Sequence, residues 1–399
     1  MEQYDVAVVG AGLVGLASAL ALTERTARVV VIEAADRVAA HQSGHNSNVI
    51  HSGLYYKPGS LRARNCVEGR EALYRFCEAH GLAYERCGKV VVASEDRHLP
   101  QLDELMRRGQ ENGLAGVRRV DPTELRTFEP HVVGLGGLVV PDTGIVHYPS
   151  VAAKYAELVR ARGGTVRLGS RLVSARVSTD EIVLETTSEP VTCRYLVACA
   201  GLHSDRVARL CGLTPDVAIL PFRGEYYELV PHRRHLVRNL IYPTPDPRFP
   251  FLGVHFTRMV DGGIEAGPNA VLALRREGYR LAQVSIRDLV EMARFRGAWR
   301  LLRRHWRHAR DEYRRSLSKA AFVRSLQRLI PELTAADVVR GGAGVRAMAV
   351  DDDGQLVDDF RIERVGRMIH VLNAPSPAAT ASLSIGQGIA AMAREQFAL

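Results

Sequence analysis

The sequence predicts an α/β fold in which a Rossmann-like domain, discontinuous in the chain, is interrupted by a mixed α+β second domain. Three observations predict it. An apolar run over residues 4–9 enters Gly10-Ala11-Gly12-Leu13-Val14-Gly15, followed by a small-residue helix over 16–22 and a second apolar run over 28–32 that ends at Glu33. A buried-strand pattern over 195–200 stops at Gly201, and glycine-rich, small-residue character returns at 341–345 and continues to the end. Between them, from Pro221 onward, the pattern changes to antiparallel-looking strands and then to a long basic helix. The division implied is a first domain of 1–87, 141–220 and 341–399 and a second of 88–140 and 221–340.

Glycine alone marks many turns, so the context of the first motif decides its meaning. Here a strand precedes it, a helix follows it, and an acid stands 18 residues past Gly15. That is the setting a dinucleotide requires. Gly10 permits the sharp turn, Gly12 lets backbone approach a pyrophosphate at the helix N-terminus beside Leu13 and Val14, and Gly15 allows close packing. Glu33 can accept hydrogen bonds from a ribose diol.

Further elements follow in order. Helical spacing covers 60–81, 99–113 and 150–162, and strand patterns cover 89–93, 138–140, 165–177 and 182–187. After Pro221, strands are expected at 225–229, 251–256 and 263–266.

At 399 residues, with 46% hydrophobic and 24% charged residues, the chain is long and apolar enough for two or three folded domains, which excludes a disordered tract or a minimal module. Six cysteines without a CxxC spacing suit a reducing compartment rather than a disulfide scaffold. The first strand starts almost at Met1, and no apolar run approaches the ~18 residues that span a bilayer, so the expected location is cytoplasmic.

The net charge of +9 is local: residues 294–315 hold nine arginines against Asp311 and Glu312, or +7, leaving +2 elsewhere. Within them Phe295, Trp299, Leu302, Trp306, Ala309 and Tyr313 advance by 4, 3, 4, 3, 4, an apolar stripe along one helix face. One reading puts that stripe in the core with arginines outside. The other is a peripheral contact of 294–315 with an anionic membrane surface, at the inner face of the cell membrane. No binding motif accompanies the charge, so nucleic acid is not an expected partner.

Three histidines, His41, His45 and His51, fall in a Gly/Ser/Asn-rich loop over 41–59. The glycine and the Ser/Asn residues between them argue for loop, so no metal site is expected. HQSGHNSNVIHSGLYYKPGSLRA, PFRGEYYEL, LGVHFTRM, GPNAVLALRREGY, GVRAMAVDDDGQLVDDF and NAPSPAATASL together resemble the L-2-hydroxyglutarate dehydrogenase/oxidase family, flavoproteins of the D-amino acid oxidase superfamily. The resemblance runs from Tyr4 to about Ala393. It implies FAD, a glycine oxidase-like two-domain fold, and oxidation of a 2-hydroxy diacid to the 2-keto acid, with quinone or oxygen as electron acceptor. A 2-amino acid or another 2-hydroxy acid is the alternative substrate, and a flavoprotein serving mainly in membrane or partner binding is a further reading.

Hydride removal from the α-carbon needs a base for the hydroxyl proton, and histidine, ordinarily near 6.5, titrates in the working range. The resemblance favours His51, with His255 facing it. His41, Ser43, His45, Asn46, Ser47 and Asn48 would position the cofactor or the loop. A carboxylate calls for the planar fork of arginine. Arg346 matches the carboxylate-holding position of related amino acid oxidases; Arg258, Arg223, Lys57 or the hydroxyl of Tyr55 or Tyr56 would meet a second carboxylate. Arg223 has an alternative role in an ion pair with Glu225. Pro377, Ala378, Ala379 and Thr380 resemble the family segment that turns amides toward the flavin, and Leu172 and Gly201 further cofactor contacts. Two positions depart from the family: Asn48 replaces glycine, placing a side chain where backbone is expected close to the flavin, and Met348 replaces glutamine near Arg346. Both point to a divergent substrate preference.

Overall fold

The computed structural model describes residues 3–25, 28–245 and 253–398. Its first sheet is built from Val-rich strands that are apolar on both faces, as strands covered on both sides must be. Gln3–Val9 lies between Val29–Ile32 and Val191–Ala198, parallel to both. Met368–Asn373 adds parallel to Val191–Ala198 and is buried throughout. Helix Leu13–Leu22 has nine buried residues, because the sheet covers one side and helix Ser382–Phe397 the other. Gly386 allows that approach: a Cβ there would meet the Ala17 backbone at 2.6 Å. The helix begins at Leu13, earlier than the expected residue 16.

Residues 165–177 form two strands, Thr165–Arg167 and Leu172–Val177, where one pattern was expected. Gly169, at φ +65, breaks the run in the left-handed region. Of the strand expected over 251–256, Phe251 and Leu252 lie outside the described residues; the strand present is His255–Arg258.

The second sheet holds nine strands, in the order Val271–Leu272, Val217–Leu229, Ile264–Gly267, His255–Arg258, Leu240–Pro243, Lys89–Ala93, Gly136–Val140, Arg118–Val120, with Val338–Asp351 on the other side of Val217–Leu229. The expected boundaries at 220/221 and 340/341 therefore fall inside two strands that pair with one another for almost their whole length, from Val217↔Asp351 to Leu229↔Val338. Apolar alternation near a glycine-rich stretch hid one long strand within each, since glycines at 341, 342 and 344 read as turns. A small third sheet, Val49–Ile50, Gly144–Val146 and Tyr84–Glu85, anchors the polar loop of residues 41–59.

The basic helix runs Arg296–Leu317 and corrects the core reading for the middle of its stripe, while at the ends Phe295 packs against the cluster of Leu220 and Val350 and the Tyr313 hydroxyl donates to the Leu272 carbonyl at 3.0 Å. Trp299, Leu302 and Trp306 are 59%, 47% and 51% exposed, and the buried positions are Gly297, Leu301, Glu312 and Ser316. The reason is local. Gly297 lies so close to the chain that a Cβ would meet the Asp351 carbonyl at 2.1 Å, and Leu301 joins the apolar cluster of Leu220 and Val350. His305, at φ −117 and ψ 17, then kinks the helix, and Glu312 turns inward to accept from the Ala270 amide at 2.9 Å.

Candidate active site

A cavity of about 1290 Å³ runs from the glycine turn to the second sheet. That exceeds the roughly 300–1,000 Å³ of ordinary small-molecule pockets and leaves room for a dinucleotide and a small acid. Gly10, Gly12, Leu13, Val14, Gly15, Glu33, His41, Ser43, His45, Asn46, Ser47, Leu172, Gly201, Pro377, Ala378 and Ala379 all line it.

The nucleotide end is shaped by backbone. Gly10 has φ +105, and a Cβ on Gly15 would stand 2.0 Å from the Gly10 carbonyl oxygen. No larger residue fits this turn. Leu13 N, at the start of the helix, donates to Ser43 Oγ at 2.9 Å. Glu33 is buried, accepting from Ala11 N at 2.7 Å and Ala35 N at 2.9 Å. Each carboxylate oxygen keeps a second lone pair, so a ribose diol can still donate to it. The cradle thus fits the adenosine and pyrophosphate half of FAD.

The loop is tied from inside. Asn46 Nδ2 donates to the carbonyls of Gln42 and Ser43, and Asn46 Oδ1 accepts from Asn48 N at 2.8 Å. Asn48 has φ +53, a conformation that glycine favours and asparagine tolerates. Its Oδ1 accepts from Tyr148 N at 3.1 Å, and it does not line the cavity. The expectation that its side chain intrudes on the cofactor is corrected: the amide turns toward the N-terminus of the neighbouring helix. Thr380 also does not line the cavity. It is fully buried, and its Oγ1 accepts from His51 N at 3.0 Å, so it anchors the histidine from behind.

His41 and His45 meet the segment that carries Glu277 and Tyr279. Tyr279 packs tilted against the His45 ring, with centroids 4.3 Å apart, and its hydroxyl stands 3.5 Å from His41 Nδ1. Glu277 is hydrogen-bonded to His203 Nε2 at 2.9 Å, which holds its carboxyl down to about 2. Burial lowers both His41 and His45 below the ordinary histidine range. Glu277 and Tyr279 escaped sequence reasoning, although GPNAVLALRREGY carries them.

At the other end Arg346, His51, His255 and Tyr55 line the cavity. Arg346 and Met348 are two apart on one strand and both line it, so they share a face. His255 stacks on Tyr242, with ring centroids 4.0 Å apart. Its Nδ1 lies 2.9 Å from the Gly253 carbonyl and must carry the proton to donate there, leaving Nε2 as the acceptor. His51 Nδ1 is buried with no hydrogen-bond partner, as is the Tyr55 hydroxyl. Burial, with the charges of Arg346 and Lys89, pushes His255 down to about 3; burial, with Lys89, His255 and Arg62, does the same to His51. The expectation of a base titrating near 6.5 is therefore corrected for the ligand-free protein: both rings are neutral.

Three expected carboxylate partners stand elsewhere. Arg223 directly follows Phe222, which pairs with Arg346, so it points to the opposite face of the ladder. There it is buried 3.3 Å from Glu225, the alternative foreseen for it. Arg258, three positions past His255, also takes the opposite face, pairing with Glu85 at 2.9 Å. Lys57 is exposed and away from the cavity. The cations that do border this end, Arg62 and Arg108, already hold Asp358 and Glu104. Among the described residues no cluster of His, Cys, Asp and Glu could hold a metal ion.

The profile of the FAD dependent oxidoreductase family matches residues 5–392. L-2-hydroxyglutarate dehydrogenase of Indibacter alkaliphilus is 48% identical over 99% of this chain and 100% of its own length. The mitochondrial L-2-hydroxyglutarate dehydrogenase of Homo sapiens is 43% identical over 100% of this chain and 90% of its own. Among solved structures, the L-alpha-glycerophosphate oxidase of Mycoplasma pneumoniae with FAD bound superposes with a TM-score of 0.81 at 19% identity, covering 99% of this chain and 95% of that one. Glycine oxidase of Geobacillus kaustophilus gives 0.73 at 17%, covering 99% and 96%.

The neutral state of His255 has a consequence for acid stability. Its native pKa lies below the ordinary 6.5, so the unfolded chain binds the proton first. Stability from this group is full above pH 6.5 and is lost as pH falls toward 3, with a loss of roughly 2 kcal/mol by pH 5. Urea unfolding at pH 7.5 and 5.0 should show His255→Gln losing less stability than the wild type by about that amount. Equal losses would contradict the assignment.

Proposed function

The chain belongs to the FAD dependent oxidoreductase family and, within it, to the L-2-hydroxyglutarate dehydrogenases, and from this we propose that it oxidises L-2-hydroxyglutarate to 2-oxoglutarate. The observation that carries the proposal is the convergence of Arg346 with two neutral histidines, His51 and His255, at one end of a cavity whose other end fits a dinucleotide. FAD, when bound, supplies the acceptor for the hydride that leaves C2.

The remaining steps belong to the protein. Arg346 takes the C1 carboxylate through its fork and fixes which face of C2 is presented. His255 receives the hydroxyl proton at Nε2, because its Nδ1 proton is held by the Gly253 carbonyl. His51 faces the same space, its backbone fixed by Thr380. Arg346 and Lys89 suppress protonation of His255 while the cavity lacks an anion; a bound dicarboxylate offsets both charges and makes the ring a stronger base. Basicity then arrives with the substrate.

The electron acceptor is a quinone or oxygen, and the basic helix favours the quinone. Trp299, Leu302 and Trp306 are exposed beside Arg303, Arg307, Arg310 and Arg314, and Ile286 on the adjoining helix is 80% exposed. An apolar ridge flanked by arginine suits an anionic lipid surface, where indole sits at the headgroup level and guanidinium meets phosphate. No helix among the described residues is long and apolar enough to cross a membrane.

Two experiments test these proposals. Under anaerobic conditions L-2-hydroxyglutarate should bleach the flavin band near ~450 nm, and D-2-hydroxyglutarate and L-glutamate should leave it unchanged. Arg346→Lys should slow bleaching on the order of 100-fold. Bleaching by the amino acid alone would overturn the substrate. In co-sedimentation, vesicles containing phosphatidylglycerol should capture the wild type but not the Trp299→Ser/Trp306→Ser double variant, and neutral vesicles should capture neither. Equal capture by neutral and anionic vesicles would dismiss the lipid surface.

A further inference from the structure

Lys89 opens an apolar strand, Lys89–Ala93, every residue of which is buried. Its side chain is carried inward with the strand and is 2% exposed. The ammonium stands 4.4 Å from the centroid of the Tyr55 ring and 5.0 Å from that of Tyr242, two rings that line the cavity, while Lys89 itself is not on its wall. Among the described residues it makes no ion pair and no hydrogen bond. The groups that feel its charge are His51, His255 and Cys66, none of them a carboxylate.

Such a placement is costly. Two tyrosine faces supply cation–π attraction, but not what removing an ammonium from water demands. Burial accordingly pulls the lysine down to about 7. Methionine would fill the same slot between two rings without the charge. A buried charge with no counter-ion in the fold is a site for one brought from outside, and the neighbouring orphans agree: the Tyr55 hydroxyl and His51 Nδ1 also lack partners.

We infer that Lys89 is the counter-charge for the second carboxylate of the substrate and selects a dicarboxylic 2-hydroxy acid over a monocarboxylic one. The inference rests on the reading of the cavity as a 2-hydroxy acid site. His255 feels both Arg346 and Lys89, so the reacting carbon of a five-carbon diacid would lie beside it with one carboxylate toward each cation. Arg62 and Arg108 are held by their own acids, and Arg223, Arg258 and Lys57 face away. Of these, Lys89 is the one that is buried with no acid beside it among the described residues.

Glutarate and valerate, which differ only in the second carboxylate and carry no hydroxyl to oxidise, separate this inference from the identity of the reaction. Their binding to the holoenzyme is followed by the perturbation of flavin absorbance. Lys89→Met should weaken glutarate on the order of 100-fold and leave valerate within about threefold. Its FAD content should be unchanged, and its ligand-free thermal midpoint equal to or above that of the wild type. Equal weakening of both acids, or unchanged glutarate binding, would overturn the inference. Should the variant not fold, the wild type decides: at pH 8 glutarate should bind with uptake of a proton, read by calorimetry in buffers of different ionisation enthalpy, and valerate should not. Identical uptake for the two acids would overturn it equally. A glutarate preference that depends on Lys89, in an enzyme whose flavin L-2-hydroxyglutarate does not reduce, would leave Lys89 in place and overturn the oxidation assigned above.

Discussion

The paired strands Val217–Leu229 and Val338–Asp351 are the constraint on which the site depends. They belong to the second sheet, yet at the Val217 end the apolar side chains of Val217, Ile219 and Ala349 pack with Leu372 of the first and with Ala208 of the helix Ser204–Leu210. From Val217 to Glu225 the ladder keeps one register, with a bulge between Glu225 and Tyr227, and a one-residue slip in that stretch would exchange its two faces. The register puts Gly224, Gly344, Arg346 and Met348 on the cavity wall and Arg223 behind it. It also seats the loop: a Cβ on Gly344 would lie 2.3 Å from the His45 carbonyl oxygen, and Gln42 Oε1 accepts from Ala347 N at 2.8 Å. Arg346 and the loop of residues 41–59 are thus fixed against each other by this ladder and the bond from Ala347 N to Gln42.

Within that frame the site is electrostatically unfinished without its ligand. Arginine and lysine border two buried imidazoles, and both rings are held neutral by burial and by those charges. A neutral, non-anionic ligand would leave Lys89 without a counter-ion and the histidines weakly basic. A dianion answers both at once, so affinity and proton acceptance rise together. Substrate selection and catalysis then share the same charges, consistent with spending binding energy where the reaction needs it.

Much of this was legible in the residues. The glycine turn, its flanking strands and Glu33 lie in one short segment, where spacing alone encodes the geometry. His51, His255 and Arg346 were reached through resemblance, and all three line the cavity. What escaped reading is what depends on strand face and long-range pairing. Arg223 and Arg258 differ from their useful neighbours by one and three positions, a parity that cannot be assigned before the strand is known to be a strand. Asn48 looked like an intrusion until its positive φ and its bond to Tyr148 placed the amide on the far side. Lys89 did leave a signal, a lysine heading the run Val90-Val91-Val92, but its meaning comes from Tyr55 and Tyr242, distant in sequence. The stripe of the basic helix is packed at Phe295 and Tyr313 but exposed at Trp299, Leu302 and Trp306, because Gly297 and the kink at His305, not hydrophobicity, decide how that helix lies.

The most direct measurement is a crystal structure of the FAD-loaded protein in complex with 2-oxoglutarate. The expected result has one carboxylate on the fork of Arg346, the other against the ammonium of Lys89 between the Tyr55 and Tyr242 rings, and the C2 oxygen toward Nε2 of His255. A product bound with its second carboxylate in solvent, or on Arg62 or Arg108, with His255 turned away from C2, would contradict it.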